Sequence, residues 1–261
     1  MTNKLCLGRI HDTHRNTDLR FADYIDRVKL IESSQAPAAP NWEAVPTPSG
    51  SRPTKDRDPL GNTDNGDCVF AGPAHMVNLQ AKLVGRPDIC VTEEQALAEY
   101  YKRTGGPDVG YVIRDMIQIG KDEGLYGVHF LGAAMVDKND PVEVALACWC
   151  GGGLIGGYDL PANWREQLDN GALWTRPAGG WAPGQGPSTN SGHCTFMPGT
   201  APGGDQVNSW GILVGQEAEW RQDCCSELWL LLTDLWVTGG FAPNGFSAAD
   251  LIADIRARGG I

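Results

Sequence analysis

The sequence predicts an α+β fold, with helices in the first part of the chain and strands in the second. Three observations carry this. Apolar residues recur at helical spacing in several segments between residues 67 and 150. From Gly151 to Gly211 the chain becomes glycine-rich, with short apolar segments set between turn signals. At 261 residues, 41% of them hydrophobic, it is long enough to bury a sizeable core.

Taken in order, residues 1–61 read as an N-terminal segment and a Pro-rich arm. A short strand and a helical pattern, "DLRFADYIDRVKLIESS", give way to a stretch too rich in Pro and Ser for any long regular element, with Trp42 as its one obvious anchor. Residues 62–150 form the helical part. The main helix runs from Asp67 to about Val84, with Asn65, Gly66 and Asp67 as turn and N-cap residues and a kink expected near Val69 from Pro73. A second helix spans Thr92 to Thr104, where Thr92 and Gln95 have the spacing of a capping box. A third covers Val112 to Gly120, and a fourth, with Pro at its first turn, Pro141 to Cys150. Residues 151–261 are strand-rich with a C-terminal extension: "GLIGGYDL", "ALWTRP", "HCTFMPGT" and "QVNSW" read as short antiparallel strands, and "PGTAPGGDQ" as a hairpin loop. "CSELWLLLTDLW" and "SAADLIADIRARGG" read as amphipathic segments.

The formal charge of −11 and the scattering of the 21 basic residues argue against a nucleic-acid partner. No apolar stretch is long enough to span a bilayer, and the N-terminus has no apolar signal-peptide core, so a cytoplasmic location is expected. Free thiols are therefore expected of the eight cysteines. Cys148, Cys150, His193, Cys194, Cys224 and Cys225 lack the spacing of a zinc site, so no metal is expected.

In "NTDNGDCVFAGPAH" a single cysteine, Cys68, ends a polar loop and begins an apolar run. In the first turn of a helix, free backbone N–H groups and the helix dipole favour the thiolate, which is the nucleophile. Packing is the ordinary role of a lone cysteine, so the reactive reading depends on a base. His75 lies two turns along the same helix, roughly 10 Å away. His11 and His14 lie in the polar N-terminus and His129 follows a glycine-rich turn, which leaves His193 in "NSGHCTFMPG", with Asn208 in "QVNSWG" across the hairpin from it. Asp205 reads as a turn residue.

Here the sequence resembles the papain-like cysteine peptidases, in the manner of phage and bacterial versions of that fold. "GDCVFA" stands where that family has its nucleophile, "GHC" where its histidine opens a strand, and "NSWG" matches its asparagine segment. The spacing from Cys68 to His193 and Asn208 is close to the roughly 130 to 150 residues of that family. The resemblance implies a two-lobe fold, an N-terminal helical lobe against a C-terminal antiparallel, barrel-like lobe. It implies a Cys-His-Asn triad: Cys68 as acyl acceptor, His193 as its imidazolium partner, Asn208 as the amide that holds the ring. Trp210 would shield that bond. Asn62 and the Cys68 N–H would form the oxyanion hole, and Gly105 and Gly106 would offer bare backbone to an extended peptide. Asp67, with its carboxylate aimed inward, would oppose the thiolate. No long inhibitory pro-segment is expected ahead of the nucleophile.

These features predict a hydrolase for a peptide or isopeptide bond in a peptide or protein substrate, with no nucleic-acid or membrane partner. The competing reading is a catalytically silent scaffold that docks in a larger protein assembly, such as a phage particle, and is carried within it.

Overall fold

A computed structural model describes residues 5–13, 15, 18–23, 37–44, 58–171, 173–201 and 204–237. Most of the helix expected after Asp18, much of the Pro-rich arm, and the amphipathic segment "SAADLIADIRARGG" lie outside the described residues.

The first helix, α1 (Cys68–Leu83), is the axis of the molecule: every one of its residues except Lys82 is buried. Apolar all round, it has no solvent face and must sit inside the core. Its buried amides tie down the surrounding loops. Asn78 exchanges hydrogen bonds with the backbone of Val91 at 2.6 and 3.1 Å, and Gln80 bonds to the Gly151 carbonyl and the Thr233 hydroxyl. The helix is continuous through Pro73.

Helix α2 (Glu93–Thr104) begins in the expected capping box, with both Thr92 and Gln95 bonds formed. Helix α3 (Ile113–Asp122) follows, then strand β1 (Phe130–Met135) and helix α4 (Pro141–Gly151), which is capped by the Asp140 carboxylate. Strand β2 (Leu154–Asp159), the short helix α5 (Trp164–Asp169) and strand β3 (Leu173–Trp174) come next. The remaining elements are β4 (Gly192–Ala201), β5 (Gly204–Ser209), β6 (Ile212–Gln216), α6 (Ala218–Cys224) and β7 (Cys225–Thr233).

The strands form one open sheet in the order β1-β7-β2-β4-β5-β6-β3. The expected barrel-like lobe is thus a seven-stranded sheet that does not close on itself. It is mixed, because β3 runs parallel to β6 while the other pairs are antiparallel. The segment "CSELWLLLTDLW" is mostly strand β7, seated between β1 and β2. Eight of its nine residues are buried, which removes the alternation that marks a half-exposed strand. Trp42 anchors its arm as expected: its indole donates to the Cys148 carbonyl at 2.8 Å and stacks on Trp149. Asp205 is more than a turn residue, since its buried carboxylate pairs with the buried Arg221. No disulfide links any of the eight cysteines. Among the described residues, no helix is long and apolar enough to cross a membrane.

Candidate active site

Helix α1, which Cys68 opens, packs on β4, the strand that carries His193. Gly72, one turn into α1, makes the approach close: a Cβ there would lie 3.4 Å from the Cys194 sulfur. Cys68 opens the helix, and the backbone N–H groups of Cys194 and Gly8 reach its sulfur. His193 is the second residue of β4 and is fully buried. Its Nε2 lies 2.7 Å from the Ser209 hydroxyl, while its Nδ1 is buried with no hydrogen-bond partner.

The expected orienting amide, Asn208, is buried in β5, opposite Phe196 on β4 and Leu213 on β6. Successive strand residues face opposite sides of a sheet. The hydrogen bond to the histidine accordingly comes from Ser209, the next residue.

Trp210 covers the histidine, with ring centroids 4.0 Å apart and planes at 11°. Trp210 and Gly211 form the two-residue turn between β5 and β6, with φ of 50° and 73°. Such a turn favours Asn-Gly, so a tryptophan here carries backbone strain of about 1 kcal/mol. Stacking on Trp164 at 4.8 Å, an edge contact with Trp174, and an indole hydrogen bond to the Cys6 carbonyl hold it in place.

The loop before Cys68 is also buried. Asn62 donates its amide to the Asn65 carbonyl at 3.1 Å and faces the Asp67 carboxyl. Asp67 sits at the N-cap position without a side-chain capping bond. Burial raises its pKa to about 8, against a smaller opposing effect from Asn62. The acid is neutral at pH 7, which weakens its opposition to the thiolate.

The site is covered, and the cover was not legible in the sequence. Residues 5–11 run between the Cys68 loop, Tyr111 and the start of β4. Gly8 accepts a hydrogen bond from the Tyr111 N–H at 2.7 Å, Ile10 donates to the Tyr111 carbonyl at 2.8 Å, and Arg9 donates to the Gly192 carbonyl at 3.1 Å. Glycines allow this approach. A Cβ on Gly8 would lie 1.7 Å from the Gly66 carbonyl oxygen, one on Gly110 2.2 Å from the Gly8 carbonyl, and one on Gly192 2.1 Å from the Arg9 carbonyl. Gly105 and Gly106, at the left-handed end of α2, face open space; the added strand pairs at Tyr111 instead. Asp108 and Tyr100 fix both rims: Asp108 accepts from the Gly66 N–H and the Tyr100 hydroxyl, and that hydroxyl accepts from the Gly110 N–H.

Under this cover the two reactive groups are electrostatically silent. Burial pushes the Cys68 thiol up to about 12 and the His193 imidazole down to about 3, the latter aided by the Arg9 charge. At neutral pH both are uncharged, and a thiolate–imidazolium pair does not form while the segment is seated.

No family model and no curated protein sequence matches the chain. Among solved structures it is similar to xylellain, a cysteine protease from Xylella fastidiosa, with a TM-score of 0.59 and 15% identity over 88% of this chain and 97% of that one. The likeness shows the fold: this chain has the α+β architecture of a cysteine protease.

Proposed function

We propose that the protein is a papain-like cysteine hydrolase held latent by its own residues 5–11. The observation that supports this best is a thiol that opens the helix packed on β4, together with a buried histidine on that strand whose Nδ1 has no partner and whose ring is clamped between Ser209 and Trp210. With the segment displaced, water reaches both groups and the Arg9 charge leaves. The thiol falls and the imidazole rises, so the Cys68 proton moves to His193.

The thiolate then attacks a peptide or isopeptide carbonyl, forming the C–S bond. The Cys68 N–H, with the Asn62 amide turned toward it, stabilises the oxyanion. His193 gives its proton to the departing amine as the C–N bond breaks, and water hydrolyses the thioester to restore the thiol. Ser209 holds the ring, with Asn208 one residue away on the same strand. The chemistry requires no metal or organic cofactor.

The test is the rate of Cys68 alkylation by iodoacetamide across pH 4 to 9 in Gly8→Ala, where the new methyl cannot fit against Gly66. Fast labelling at low pH that slows when His193→Ala is added supports the hydrolase. Labelling only near pH 8 and above, indifferent to His193, would leave the competing reading of a silent scaffold docked in a larger assembly.

A further inference from the structure

The side chain of Arg9 fills a pocket that the proposed chemistry does not use. Its side chain is fully buried, and its guanidinium fork meets three acceptors on two adjacent strands. Nη1 donates to Glu227 Oε1 at 3.2 Å, and Nη2 donates to Asp159 Oδ1 at 2.7 Å and to the Ser226 hydroxyl at 2.5 Å. Nη2 also lies 3.4 Å from His11 Nδ1.

The pocket is built around this group. Glu227 is held from behind by the Trp229 indole at 2.8 Å, and Ser226 donates to the Gly157 carbonyl at 3.2 Å. Gly157 leaves the channel open, because a Cβ there would lie 2.6 Å from Glu227 Cγ and 2.9 Å from Arg9 Cδ. Taking the guanidinium away from two buried carboxylates is costly, so a vacated pocket favours a cation; His11, 3.4 Å from Asp159 Oδ2, stays beside one of them. Acceptors spread around the fork select arginine over lysine, whose single ammonium cannot span them.

The backbone on either side of Arg9 is held by main-chain bonds to Tyr111 and Gly192, a mode open to any extended peptide. In that mode the side chain supplies the selectivity. The neighbouring residue, Gly8, lies against Cys68.

We infer that the Asp159–Glu227 pocket is a substrate side-chain pocket, and that the protein recognises peptides with an arginine next to the residue presented to Cys68. Residues 5–11 occupy the cleft as an internal stand-in for such a peptide. This rests on the hydrolase reading, and the test separates the two.

Full-length Gly8→Ala/Arg9→Ala, which displaces residues 5–11 and vacates the pocket, is given fluorescent peptides of sequence Ala-Leu-X-Gly-Ala-Ala and its reverse, where X is arginine, citrulline or norleucine. Binding is read by anisotropy with Cys68→Ser added, and hydrolysis with Cys68 intact. The expected result is tighter binding of the arginine peptide by on the order of tenfold or more over neutral citrulline, erased by Glu227→Gln. The citrulline comparison needs no change to the pocket, so it holds even where Glu227→Gln fails to fold. Equal binding of arginine and citrulline peptides overturns the pocket. Arginine-selective binding without hydrolysis upholds the pocket and overturns the hydrolase; hydrolysis without arginine preference does the reverse.

Discussion

Trp210 lies flat on His193, 4.0 Å between ring centroids, from a turn whose backbone it does not favour. The stack and the hydrogen bond to Cys6 join the histidine, the β5–β6 turn and the N-terminal segment in one cluster. Truncating Trp210 to Ala removes the ring but relieves little strain, since Ala is also disfavoured at positive φ. The expected cost is about 3 kcal/mol of folding stability, read from urea unfolding with an unchanged m-value.

The hydrogen bond between His193 Nε2 and Ser209 predicts that Ser209→Ala changes the imidazole nitrogen shifts in NMR spectra, because Nε2 loses its partner. In the uncovered Gly8→Ala background, Ser209→Ala should lower kcat by about tenfold with KM little changed.

Asp67 gives the fold a stability that declines with pH. Its carboxyl ordinarily titrates near 3.8, but burial raises it to about 8. Between these values the unfolded chain releases the proton and the folded chain keeps it, so this contribution is full below about pH 4 and is lost as pH rises toward 8. Asp67→Asn is expected to stabilise the protein by about 2 kcal/mol at pH 7 and hardly at all at pH 4. Equal effects at the two pH values, measured by thermal unfolding, would contradict the buried neutral acid.

The N-terminal segment has a second clasp, farther from the thiol. Buried Arg114 of α3 pairs with Asp12 at 2.9 Å and with Asp18, and lies over the Trp229 ring. Arg114→Ala is expected to speed amide exchange at Ile10 by about tenfold or more, while α1 amides stay protected. The Asp12 pKa is lowered, chiefly by its hydrogen bond to Arg114. Its share of the clasp therefore persists at mildly acidic pH and is lost only as pH falls through that lowered value.

The elements set by neighbouring residues were readable from the chain. The Thr92–Gln95 capping box, Pro141 at a helix start and the antiparallel β4–β5 pair are short-range features, and all three appear; residues 198–201 and 204–206, expected as loop, belong to the strands themselves. So does α1, whose apolar run is long. Strand β7 was misread because burial on both faces leaves "LWLLL" without a period of two, and β1 was missed because "FLGAAM" is short and small-residued. At the site, Cys68 opens the helix that packs on the strand of His193. Ser209 as the partner of the ring depends on which face of β5 meets the histidine, and the occupied cleft depends on contacts made across most of the chain. No local pattern encodes either.

Strand β7 sits between β1 and β2, although both precede it by many residues. On the ribosome, β1 and β2 stay unjoined until this strand emerges. The same strand brings Glu227, so the ion pair with Arg9 joins residues 218 positions apart. Residues 5–11 are therefore fully held only after β7, which follows them in the chain, has arrived. The strand that completes the sheet thus also completes the hold on residues 5–11, so the two are finished together.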